Sequence, residues 1–116
     1  MSRGRWHVRR EGARLVLARH LPARFDVVAE TTLPKAGRER IAQQVRQDMW
    51  RALKGQRGFS PVVEVASCET GLRVRAGGRV EAARFDRNRL EARIASVLEA
   101  PEKRRRWVLN AGGQGR

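Results

Sequence analysis

The sequence predicts an α+β fold: an antiparallel sheet of five or six strands with helices packed on one face, in the order β-β-β-α-β-β-(β)-α-(α). Three observations predict it. Residues 37–54, GRERIAQQVRQDMWRALK, place Ile41, Val45, Met49, Ala52 and Leu53 within about a third of a helical wheel. Short stretches of period-two alternation precede that helix and follow it. A capping signal at Asp86 then opens a second apolar stripe at helical spacing.

Taken in order, Trp6 to Arg10 alternates Trp6 and Val8 against His7 and Arg9, and Glu11-Gly12 turns it into Arg14 to His20 as a first hairpin. Pro22 withdraws an amide donor and breaks the ladder. Arg24 to Thr32 resumes with Phe25, Val27 and Ala29 on one side, so the economical reading is a three-stranded meander. The central helix follows and stops at Gly55, a left-handed C-terminal glycine by expectation. Residues 61–68, PVVEVASC, have the β-branched density of a central strand. Leu72 to Ala76 pairs with it, Gly77-Gly78 reads as a two-residue hairpin, and Arg79 to Ala83 as a short sixth strand.

Asp86 is the expected N-cap of the next helix, with Phe85 and Leu90 as a staple and Leu90, Ile94, Val97 and Leu98 as its buried stripe. Pro101 fits the first position of a last short helix ending at Asn110 to Gly113. Residues 1–5 are expected to fray. The domain organisation is one α+β domain over residues 1–111 and a flexible tail over residues 112–116. A faint echo between Val8 to Leu15 and Val65 to Leu72 is too short to establish a repeat.

With 116 residues, 41% of them hydrophobic, the chain can bury one core. Its net charge of +14 is the unusual feature, and the basic residues are overwhelmingly arginine. A field of one sign attracts polyanions: RNA, DNA, an anionic surface or an acidic protein. The front half and the tail are basic, whereas residues 86–100 balance three bases with three acids. Cys68 is the single cysteine, which excludes an internal disulfide. No run approaches the roughly 20 apolar residues of a membrane span, and the N-terminus lacks a signal-peptide core, so a cytoplasmic protein is expected.

No catalytic constellation is visible, and no metal or cofactor is expected. His7 and His20 with Glu11 would be the minimum for acid-base work if the hairpin joined them, and Cys68 would be a nucleophile only beside one of those histidines. There is neither a Walker loop nor a G-x-G-x-x-G. What the residues do offer is a cationic, hydrogen-bonding helix face. Arg40, Gln43, Gln47, Arg51 and Lys54 lie opposite the apolar stripe with Trp50 on their shoulder, Arg57 follows in the Gly55–Pro61 loop, and Lys103, Arg104, Arg105 and Arg106 form the densest basic run. Arginine forks match phosphate oxygens, and Trp50, Trp6 and Trp107 are candidates to stack on unpaired bases, the competing role being core packing. The expected function is therefore non-enzymatic binding of nucleic acid, RNA or single strands. The alternative is an interaction module that docks an acidic protein partner, using a free sheet edge.

Overall fold

In a computed structural model, residues 6–113 are described. Five antiparallel strands form one sheet and three helices cover one of its faces: β1 (His7–Glu11), β2 (Arg14–Ala18), β3 (Val27–Leu33), α1 (Arg38–Ala52), β4 (Phe59–Cys68), β5 (Gly71–Val80), α2 (Arg87–Glu99) and α3 (Pro101–Asn110). The α+β reading stands, with five strands rather than six. No helix of the described residues is long and apolar enough to cross a membrane.

The register explains the core. Leu15 pairs with Val65, which pairs with Val74; Leu17 pairs with Val63, which pairs with Ala76. These rows are fully buried beneath Ile41, Val45 and Met49 of α1 and Leu90, Ile94 and Leu98 of α2. Each such aliphatic side chain contributes about 1.5–3 kcal/mol relative to exposure. Trp107 of α3, with no exposed surface, closes the helical layer.

The strand order β1-β2-β4-β5-β3 corrects the meander. β3 leaves β2 and pairs with β5 at the far edge. The connecting segment crosses the ends of the intervening strands: Arg19 N–H donates to Pro61 O, Arg79 Nη2 to Pro22 O at 2.8 Å, and Asp26 N–H to Gly78 O at 2.8 Å. It shields Ala18 and Val62, which lie on the face away from the helices yet are buried. Phe25 belongs to this crossing and not to the Val27 side, since its ring lies 4.8 Å from the Arg75 guanidinium on the helix-free face.

Gly77-Gly78 is no hairpin. β5 runs straight through it to Val80, and the sixth strand is absorbed into β5. A Cβ on Gly77 would stand 1.9 Å from Val27 O, and one on Gly78, at φ +153°, 2.1 Å from Ser60 O. The glycines are there because neighbouring backbone leaves no room for a side chain.

One smaller correction concerns the end of α1. α1 stops with Leu53 N–H donating to Met49 O, and Gly55 does not take the left-handed conformation expected of it. α2 starts as expected, the Asp86 side chain accepting from Arg89 N–H, and Pro101 opens α3. Gly113 N–H donates to Val108 O at 2.8 Å, and the expectations for residues 1–5 and 114–116 lie outside the described residues.

The two edges of the sheet differ. Along β3, Val28 N–H donates to Glu91 Oε2 of α2 at 2.9 Å, and Thr32 O accepts from Arg104 Nη2 of α3 at 2.6 Å. At the other edge β1 pairs only with β2. Among the described residues none pairs with its outer side.

Candidate nucleic-acid interface

Charge is arranged differently on the two faces of the molecule. On the helix-free face of the sheet, cations are matched row by row. Arg14 donates to Glu11 and lies 3.6 Å from Glu64, Arg75 meets the same Glu64 at 3.2 Å, and Arg73 lies 3.6 Å from Glu30. At its end Arg24 makes a two-pronged contact with Asp26, and Arg79 faces Glu81. The Arg14 guanidinium holds the Glu11 carboxyl below its ordinary pKa, and Arg24 together with Val80 N–H does the same for Asp26. Most of the charge on that face is paired; Arg9 of β1, opposite Val16, is the exposed cation there that forms no ion pair among the described residues.

The outer ridge of α1 is arranged otherwise. Arg40, Gln47, Trp50, Arg51 and Lys54 are exposed along it and Gln43 is half-buried. From Arg40 to Arg51 the ridge extends about 17 Å at 1.5 Å per residue, and Lys54 follows just past the end of the helix. Of its two acids Asp48 is buried, whereas Glu39 pairs with Arg10 of β1 and also lines a hollow with Arg40 and Gln43. Among the described residues Arg40, Lys54 and Arg57 form no ion pair; the Arg40 guanidinium reaches only Asn110 O, at 3.4 Å. Arg51 stands 3.7 Å from Asp48 and is itself mostly exposed. Where the ridge meets the Gly55–Gln56 turn, a groove runs on to Arg89 and Arg93 of α2, both exposed.

The four-residue basic run of α3 does not join this ridge as a unit. Arg106 turns to Asp48, which also accepts from Trp107 Nε1 at 2.8 Å. This carboxylate pins α3 to α1, a role the helical wheel already marks: Asp48 is an acid within the apolar arc of Ile41, Val45 and Ala52. Arg104 turns the opposite way, donating to Thr31 Oγ1, Leu98 O and Thr32 O, and so clamps α3 onto β3. Arg105 lies beyond it, lining a 340 Å³ hollow with Leu33, Pro34 and Glu99, away from α1. Lys103 is half-buried. Of the sequence-predicted set, α1 and its following turn gather Arg40, Gln43, Gln47, Trp50, Arg51, Lys54 and Arg57, with Arg106 bordering them.

One flank of the ridge opens into a feature that the sequence did not reveal. Trp50, 46% exposed, forms one wall of a 470 Å³ cleft whose other walls are Trp6, Phe59 and Pro61. Arg46, Arg19, His20 and Ser60 complete it. The Arg46 guanidinium lies 4.5 Å and that of Arg19 5.6 Å from the centre of the Trp6 ring, and Lys54 Nζ is 5.9 Å from that of Trp50. His20 Nδ1 is 2.9 Å from Ser60 Oγ. Arg46 spends one donor on Gln43 Oε1, while its Nε is buried without a partner, and burial lowers its pKa. Arg46 and Trp50 are four residues apart on α1, the spacing that puts two side chains on one flank. Trp6, Arg19 and Phe59 come from three other parts of the chain. Trp6 thus packs at the core rim, Trp107 in the core, and Trp50 faces solvent.

The acid-base and thiol candidates are separated. His7 pairs with Ala18, whereas His20 is bonded to Ser60 at the start of β4. Cys68 ends that same strand beside Thr70, and the eight steps from Ser60 correspond to about 27 Å of extended chain, so no histidine reaches the thiol. Among the described residues no group of three or more His, Cys, Asp or Glu side chains is placed to hold a metal ion. Gly58 serves the turn into β4, its positive φ and contact with Glu81 leaving no space for a Cβ. Comparison with protein-family models, with curated proteins and with solved structures gave no match.

Proposed function

We propose that this protein binds single-stranded nucleic acid, RNA in the first instance, through the outer ridge of α1, without catalysing a reaction. The observation that supports the reading is the contrast between faces: carboxylates pair with Arg14, Arg73 and Arg75 of the open sheet, while Arg40, Lys54 and Arg57 on and after α1 stand exposed beside the amides of Gln43 and Gln47. Guanidinium and ammonium groups so placed bond phosphate oxygens, the amides reach sugar and base edges, and Trp50 offers a ring for stacking. Beyond Lys54 the Gly55–Gln56 groove continues with Arg89 and Arg93, against the one carboxylate of Asp86.

Titration of a mixed-sequence single-stranded RNA over a range of salt tests this. Affinity should fall linearly on a log-log plot, with a slope of about −0.7 per phosphate neutralised. Arg40→Ala and Lys54→Ala should each make the slope shallower by about that amount, whereas Arg73→Ala on the sheet face should leave it unchanged. A flat salt dependence in the unaltered protein would remove the reading.

The open side of β1 favours a second reading, in which an acidic protein segment adds as a sixth strand beside Arg9 and Arg10. It predicts a nuclease-resistant protein partner whose binding is lost when β1 is blocked by a proline.

A further inference from the structure

We infer that the cleft between Trp6 and Trp50 is a pocket for one nucleotide, taking its base against the exposed Trp50 ring and its phosphate against Arg19 and Arg46. The inference rests on the nucleic-acid reading and names what that strand would insert. The 470 Å³ volume is within the range of small-ligand pockets, about 300–1,000 Å³, and suits a single nucleotide. Its lining offers chemistry of two kinds. Trp50 and Phe59 supply flat apolar surface, nearly half of the Trp50 residue being uncovered. Arg46 and Arg19 supply positive charge, already ordered by stacking on Trp6. Among the described residues no carboxylate lines the cleft to compete with an incoming anion. Arg46 is partly desolvated with an unpartnered Nε, which makes an anion beside it worth more than at a wet surface. Trp50 also belongs to the α1 ridge, so a strand lying along Arg51 and Lys54 reaches the cleft without turning away from the helix.

Adenosine 5′-monophosphate, adenosine and inorganic phosphate, each titrated into the full chain and followed by the indole N–H resonances, test this. The nucleotide should shift the Trp6 and Trp50 signals saturably and leave Trp107, buried against Asp48, in place. Adenosine and phosphate should each bind about 10-fold more weakly or worse, because each makes only one of the two kinds of contact. Trp50→Ala should weaken the nucleotide by about 10-fold, with Trp50→Phe recovering part of the loss; Trp50 is exposed, so neither change threatens the fold. Phosphate binding as tightly as the nucleotide, or a nucleotide titration indifferent to Trp50→Ala, would overturn the pocket. If longer RNA still binds with a steep salt slope in that event, the ridge survives and only the pocket is lost. Nucleotide binding without any RNA binding would keep the pocket and sink the ridge.

Discussion

Asp48 shows how one side chain settles the position of an entire helix. Its carboxylate is buried among apolar neighbours and accepts from Trp107 Nε1 and from Arg106. Asp48→Ala strands a buried indole N–H and should cost about 2–3 kcal/mol in urea unfolding. Asp48→Asn, which keeps an acceptor, should cost less. The clue was legible, an acid at an apolar position of the wheel, but its two partners lie almost 60 residues away and no local pattern names them. Asp26 carries a pH signature. Its pKa is depressed by Arg24 and by Val80 N–H, so its contribution is complete above the ordinary aspartate value of 3.8 and is lost as pH falls below it toward the folded value. Asp26→Ala should therefore destabilise by about 1–2 kcal/mol at neutral pH, and the deficit in melting temperature should narrow below pH 3.8.

Among the elements, helices were the more legible. Their signals are local: an Asp at the N-cap, a Pro at the first turn, an apolar stripe every three to four residues. Strands were legible as strands, but pairing depends on contacts far apart in sequence, and so the local pattern suggests a β2–β3 meander where β3 pairs with β5. Gly77-Gly78 misled for a related reason. A glycine pair signals a turn when judged by its neighbours in sequence, whereas here it answers to Val27 and Ser60 on the adjoining strands. Gly77→Ala, whose φ is not positive, isolates that crowding and should cost at least about 3 kcal/mol by thermal melting. Gly55→Ala, at an open site without a positive φ, should change stability by less than about 0.5 kcal/mol. The same limit hid the cleft. Arg46 and Trp50 are neighbours on α1, but Trp6, Arg19 and Phe59 reach them only through the fold.

For the molecule as a whole, net charge foretold little about where charge would matter. Much of the arginine content is spent on the Arg–Glu rows of the open sheet or on clamps such as Arg104. Solvated ion pairs of that kind contribute little each, so losing one by Arg73→Ala should alter stability by less than about 1 kcal/mol while leaving RNA affinity alone. The sheet's unequal borders reach further. With Glu91 and Arg104 taking two outward polar groups of β3, Val28 N–H and Thr32 O, the far edge is partly blocked, which disfavours growth beyond one addition at β1. Two copies meeting through β1 would form a closed pair and not the start of a fibre. Glu91→Ala should lift that restriction, and light scattering at rising concentration should then register species larger than two chains.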